Sequence, residues 1–468
     1  MEFAWLQPGL VKLIAAMPSW LGVPPTGWLS ATAGAGAAAL AIALVGVVRR
    51  RRLAAAARMR RVRGEAEVLK EELRLRLSEP AILFANGISV APTMGASEAF
   101  EGDIEAAVRT VLQEAGGQRA KAKELLRRRM NGNGAANGKL NGSEVSYWRQ
   151  LGALSLLDNA QDALAAYGRA ADLAPGDAEA QMLVGVLHLR TGNLAAAESA
   201  FRRQIELGNA GGASFLSYRG HTMLGDVHAA REEHDAAMAA YSEAQREVKA
   251  LLERDPDNAG FRRDLSVTCD RIGDMHVQNG RLDAALECYR QSLEIAEALA
   301  KRDAQNPIWQ HDLSVSHDRI GDILDKKGDR KAALESFRKG LAIAKALTLR
   351  DADNLQWQWD LSVSHDRIGD LLIAEGRLEE ALQSYRRGMQ IAEALAKRDP
   401  GNAGWQRDLA VSYHKIGSLE AIGNPGEARE LLEKGRAIIA RLAGIAAHQA
   451  QWRSDLSQFD EVLRTLAH

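Results

Sequence analysis

Apolar positions in the second half of the chain fall three and four apart, and the pattern comes in copies. Leu313, His317, Ile320 and Leu324 share one helical face, and Leu361, His365, Ile368 and Leu372 repeat that face 48 residues later. This is the period of an amphipathic helix. The string DLSVSHDRIGD stands unchanged at Asp312–Asp322 and at Asp360–Asp370, with relatives DLSVTCDRIGD at Asp264 and DLAVSYHKIGS at Asp408. Gly273, Gly321, Gly369 and Gly417 keep the same 48-residue step, as do the aromatics Phe261, Trp309, Trp357 and Trp405. Each period reads as two helices of about 20 residues. They are joined at Asn279-Gly280, Lys327-Gly328 or Glu375-Gly376 and stopped at RDPDN, RDAQN, RDADN or RDPGN. Asp, Asn and Pro there supply stop-and-cap chemistry.

An earlier stretch, YWRQLGALSLLDNAQDALAAYGRAADLAP, places Trp148, Leu151, Gly152, Ala163, Tyr167, Ala170 and Pro175 in a related order. Gly185/Ala197/Phe201 and Gly225/Ala237/Tyr241 follow. The long units continue with Gly273/Ala285/Tyr289, Gly321/Ala333/Phe337 and Gly369/Ala381/Tyr385, and a last unit keeps Gly417 and Ala428 without the aromatic. Small residues let two helices approach, and a ring fills the gap between neighbouring pairs. In this order the chain resembles the tetratricopeptide repeat family, with later units longer than the family's usual 34 residues. The resemblance implies an all-α fold: a solenoid of about seven helix pairs over residues 143–447, closed by a capping helix at 448–468. It also implies that the first helices line a concave groove that receives extended peptides.

Upstream, Leu13–Val48 carries no charge, and Thr26–Val48 is free of proline until the arginines at Arg49–Arg52. A span needs about 20 apolar residues, so residues 26–48 are expected to form one transmembrane helix. Because the basic cluster follows the apolar run, the segment reads as an uncleaved anchor, with the repeats on the cytoplasmic side. Residues 1–25, with Trp5 and Trp20, suit the membrane interface. Residues 49–77 read as a basic helical stalk and 78–130 as a spacer with two short helices. Residues 131–142 (NGNGAANGKLNG) read as a flexible linker. The Ala/Arg/Gly-rich usage suggests a bacterial inner membrane.

Basic and acidic residues nearly cancel, giving a formal charge of -1. That argues against nucleic acid as the partner. Cys269 and Cys288 are the two cysteines, without ligand spacing, so no disulfide framework, metal or cofactor is expected.

Ser316, His317 and Asp318 are the residue types of a hydrolytic triad. Consecutive helical residues point about 100° apart and lack the mutual reach a triad needs, so no catalytic set is expected. A second stripe is more informative: Val267, Asp270 and Asp274, then Val315, Asp318 and Asp322, then Val363, Asp366 and Asp370. The resemblance puts these positions in the groove as a ladder of carboxylates, which suits a basic peptide. Alternatively, Arg271, Arg319 and Arg367 from neighbouring units neutralise the ladder. His317 and His365 read as packing positions, Trp309, Trp357 and Trp405 as core, and Trp359 as the exposed one.

The expected function is a membrane-tethered, non-enzymatic scaffold binding a protein or peptide partner. The alternatives are an accessory substrate-recruiting subunit of a membrane enzyme or envelope-assembly complex, and a homo-oligomerising structural protein.

Overall fold

The computed structural model describes residues 106–466, apart from 108, 112–117, 134–141, 157–158, 211–214 and 446–449. The expected interfacial segment 1–25, membrane helix 26–48 and stalk 49–77 lie outside the described residues, as does much of the spacer 78–130 and the linker 131–142. Among the described residues there is no strand, and no helix is long and apolar enough to cross a membrane.

Among the described residues sixteen helices follow one another. The first is α1 (Arg119–Asn133), which runs three residues into the segment read as linker. Seven pairs come next: α2 (Gly142–Ser155) with α3 (Ala160–Leu173), α4 (Ala178–Arg190) with α5 (Leu194–Ala210), and α6 (Phe215–Ala230) with α7 (His234–Arg254). The long pairs are α8 (Ala259–Gln278) with α9 (Leu282–Arg302), α10 (Pro307–Lys326) with α11 (Arg330–Arg350), and α12 (Leu355–Ala374) with α13 (Leu378–Arg398). The last pair is α14 (Ala403–Gly423) with α15 (Pro425–Ile445), and α16 (Ala450–Thr465) closes the row.

The long units start alike for a local reason. Asn258, Asn306, Asn354 and Asn402 each accept a hydrogen bond from the backbone N–H three residues on, at Phe261, Trp309, Trp357 and Trp405 (3.1, 3.3, 3.1 and 3.1 Å). An asparagine cap of this kind satisfies a donor the helix cannot. The hairpin turn needs a left-handed residue, and Gly280, Gly328 and Gly376 supply it with φ of 70, 85 and 75°.

Within a pair, a glycine of the first helix lies against a ring of the second. A Cβ on Gly185, Gly273, Gly321 or Gly369 would stand 2.4 to 2.6 Å from a ring carbon of Phe201, Tyr289, Phe337 or Tyr385. The ring fills the space that the missing side chain leaves, and burying one stabilises by roughly 1.5–3 kcal/mol. The last pair lacks its ring, and Gly417 meets Leu432 instead. Phe459 of α16 restores an aromatic plug: it is buried against Gly435 and meets His414 edge-on at 5.0 Å between centroids.

At the other end, the described part of the spacer is a cap as well as a connector. Ala107, Val111, Ala122 and Leu126 are buried in the same cluster as Leu151 and Leu154 of α2, and Thr110 donates to Gln150 at 2.8 Å. The basic run of α1 therefore flanks an apolar edge, in the segment that the sequence reads as a spacer.

Candidate functional site

First helices of neighbouring pairs touch directly at α4–α6 and at α10–α12. The face those helices share is termed the inner face of the row. Val267, Val315 and Val363 are half-buried on this face.

The carboxylate ladder sits beside those valines, and each rung draws its cation from the next unit. Arg319 Nε lies 3.8 Å from Asp270 Oδ2, and its Nη1 bonds Asp274. Arg367 reaches Asp318 Oδ2 through Nη1 at 3.3 Å and Asp322 Oδ1 through Nε at 3.1 Å. One unit earlier Arg271 faces Asp226, with Nε to Oδ1 at 3.4 Å, and one unit later Lys415 Nζ meets Asp370 Oδ1 at 2.8 Å. Ring hydroxyls join in: Tyr289 donates to Asp274 at 2.6 Å and Tyr385 to Asp370 at 2.5 Å. The ladder is thus largely a stitch between repeats. Asp366 is the member of the third rung without an ion-pair contact: no hydrogen bond or ion pair engages it, and its Oδ1 is buried.

A second stitch, absent from the sequence reading, draws on donors eight residues earlier in each unit. Arg263 bonds Asp312 (2.5 and 2.9 Å), His311 Nε2 bonds Asp360 (2.9 Å), Trp359 Nε1 donates to Asp408 (2.8 Å), and Arg407 Nε donates to Asp455 of α16 (2.7 Å). Its signal was the residue before each aspartate in RRDL, QHDL, QWDL and QRDL, which carries an N–H donor every time. Trp359 is therefore half-buried and hydrogen-bonded, where exposure was expected. Its indole N–H finds a carboxylate in the next repeat.

Ser316, His317 and Asp318 do not converge. Ser316 donates to the Asp312 carbonyl at 3.0 Å, Asp318 is held by Arg367 and by Ser364 (3.3 Å), and His317 Nδ1 is buried without a partner. Among the described residues no group of His, Cys, Asp or Glu is arranged to hold a metal ion. Burial pushes the Cys269 thiol up to about 11, with Asp270 adding to it, which leaves the thiol unreactive near neutrality.

Burial also sets the titration of the inner face. It pushes Asp318 up to about 7 and Asp270 and Asp366 up to about 6, against the opposing pull of Arg367, Arg319 and Lys415. It pushes His365 down to about 4, assisted by Arg387 and Lys345. A carboxyl whose folded value lies above its unfolded one, about 3.9, costs stability as pH rises from about 4 towards 7. A histidine held below about 6.5 costs stability as pH falls through that value towards 4. The two act in opposite directions. Relative to wild type, Asp318→Asn is expected to gain thermal stability as pH rises from about 4 to about 7, and His365→Gln to gain it as pH falls from about 6.5 to about 4. Melting temperatures across that range check both, and parallel profiles for wild type and variants would contradict the assignments.

A cavity of about 250 Å³ opens on the inner face between α12 and α14. Trp359, Val363, Asp366, Asp370, Trp405 and Lys415 are among its lining residues. Three of the nine groove positions expected from sequence are thus gathered in one hollow.

Residues 157–211 match one tetratricopeptide repeat family model, and 268–299, 316–347 and 364–395 match another. No curated protein matches the chain. Among solved structures, the apo form of RapI is 16% identical over 62% of this chain and 95% of its own, with a TM-score of 0.43. A tetratricopeptide repeat protein from Parabacteroides merdae ATCC 43184 is 14% identical over 67% of this chain and 99% of its own, with a TM-score of 0.41. BtubC (BKLC) from P. vanneervenii is 17% identical over 50% of this chain and 89% of its own, with a TM-score of 0.40. All three fall below 25% identity and a TM-score of 0.5, so nothing of those proteins' activities transfers to this chain. The matched segments, set where glycine meets ring in pair after pair, are tetratricopeptide repeats, and this chain is a protein that carries them.

Proposed function

We propose that this protein is a scaffold that binds another polypeptide along the inner face of its solenoid and carries out no covalent chemistry of its own. The observation that carries this is the inner face itself. Half-buried Val267, Val315 and Val363 recur there at 48-residue steps beside polar groups fixed by the inter-repeat stitches. A rigid surface with evenly spaced apolar and polar positions suits an extended segment, because little ordering is lost on its side when the partner docks. The unmatched carboxylate at the third rung favours a segment with positive charge.

The membrane tether belongs to the same proposal and rests on sequence alone. The uncharged run ending at Arg49–Arg52 supports a single anchor with the repeats in the cytoplasm. A reporter fused after His468 reads the side directly: activity on the outer side only would reverse the orientation.

To test the scaffold reading, the tagged full-length chain is captured from its own cells with bound proteins. Wild type is compared with Val363→Arg on the inner face and Glu379→Lys on an exposed position of α13. The inner-face variant is expected to lose partners that wild type and Glu379→Lys retain. An identical set of bound proteins on all three would overturn it.

A further inference from the structure

The long repeats are near copies, so a departure at one rung stands out against the others. At positions 271, 319, 367 and 415 the residues are Arg, Arg, Arg and Lys. Arg319 and Arg367 each spread one guanidinium over two carboxylates of the preceding unit, Asp270 with Asp274 and Asp318 with Asp322. Lysine offers a compact ammonium in place of that planar fork. Lys415 accordingly forms its ion pair with Asp370 (2.8 Å) and lies over the Tyr385 ring at 5.1 Å, leaving Asp366 without an ion-pair contact. The 250 Å³ cavity is at this rung, with Asp366 in its lining.

The other cations around the cavity do not make up the shortfall. Arg367 is committed to Asp318 and Asp322, and Arg407 to Asp455. Asp408, also in the lining, has only the neutral Trp359 N–H as a hydrogen-bond partner. Two of the hollow's three carboxylates, Asp366 and Asp408, therefore lack an ion-pair contact. Trp359 and Trp405 stand in its wall, and aromatic faces favour a flat, weakly hydrated cation over ammonium.

We propose that the cavity between α12 and α14 receives the guanidinium of an arginine side chain from the bound polypeptide, with Asp366 as its counter-charge. The partner's arginine completes in trans the fork that Arg319 and Arg367 make in cis at the earlier rungs. This rests on the inner-face reading and deepens it by naming the side chain recognised.

The test uses the full-length chain in detergent and three small probes: N-acetyl-arginine methylamide, its lysine counterpart, and the neutral citrulline counterpart. The readout is the indole N–H resonance of Trp359, identified by its loss in Trp359→Phe. The arginine probe is expected to shift it saturably, the lysine probe more weakly, and the citrulline probe not at all. Asp366→Asn is expected to bind the arginine probe at least about tenfold more weakly, for loss of a charge-assisted pair. Lys415→Arg is the second variant: it restores the internal fork, keeps the fold, and is expected to abolish probe binding. Equal response to arginine and lysine probes would overturn the guanidinium assignment. Unchanged binding by Lys415→Arg, or no response from wild type, would overturn the pocket. If the pocket fails while Val363→Arg still loses its captured partners, the scaffold reading stands without it. If Val363→Arg keeps every partner, the scaffold reading itself falls.

Discussion

Arg271→Met is expected to destabilise the solenoid by about 3–5 kcal/mol, the cost of breaking a buried ion pair from one side. Asp226 is fully buried and the Arg271 side chain is 7% exposed, with Nε and Oδ1 3.4 Å apart. Tyr241 donates to the same carboxylate oxygen at 2.7 Å. Burial pushes the Asp226 carboxyl up, and Arg271 is the largest opposing influence. Without the guanidinium, one neutral hydroxyl is left facing a buried charge, and α6 to α8 lose their stitch. Stability in a repeat array is a sum of units and interfaces, so the damage stays local. Hydrogen exchange should show early opening of α6, α7 and α8 while α12 to α16 hold, alongside a lowered or split urea transition. Adding Asp226→Asn removes the stranded charge and should recover much of the loss. A single transition at the wild-type midpoint for Arg271→Met would show that the pair carries no such weight.

Phe201→Ala is expected to cost about 3–5 kcal/mol, as for other large aromatic truncations in packed interiors. The ring is fully buried and fills the notch over Gly185, where a Cβ would lie 2.5 Å from a ring carbon. The prediction that separates close fitting from general hydrophobicity is the double variant. Gly185→Ala alone overpacks the wild-type contact and is expected to cost about 1–3 kcal/mol, less about 1 kcal/mol regained from alanine's helix propensity. In the Phe201→Ala background the added methyl enters an emptied space, so the double variant should be more stable than Phe201→Ala. Strict additivity in a denaturation cycle would contradict the glycine–ring account.

The hairpin rhythm was legible because it is local chemistry repeated. Asparagine caps, turn glycines and the glycine–ring register recur at fixed intervals, and all lie within one unit's own sequence. The fate of the carboxylates was not legible to the same degree. Arg319 and Asp274 are 45 residues apart, and whether one reaches the other depends on how far each pair turns on the last. The sequence therefore left both the groove and the paired reading of the ladder open. The structure gives most rungs to pairing and leaves Asp366 over. The RD, HD, WD and RD steps of the second stitch were visible, but nothing in them says which helix each donor faces. Ala122 and Leu126, four apart on one face of α1, were hidden inside a run dominated by basic residues, and so the N-terminal cap read as a spacer. Phe459 likewise restores a plug from outside the unit that lost it, a substitution that only the packing of α16 on α15 makes plain.

The most direct measurement of the central claim is site-specific photo-cross-linking in the protein's own cells. A benzophenone amino acid is placed in the full-length chain at Val315, on the inner face, or at Leu349, which is 78% exposed at the end of the second helix α11. The account predicts a discrete cross-link to another polypeptide from position 315 and none of that size from 349. Equal products from both positions, or none from 315, would contradict it.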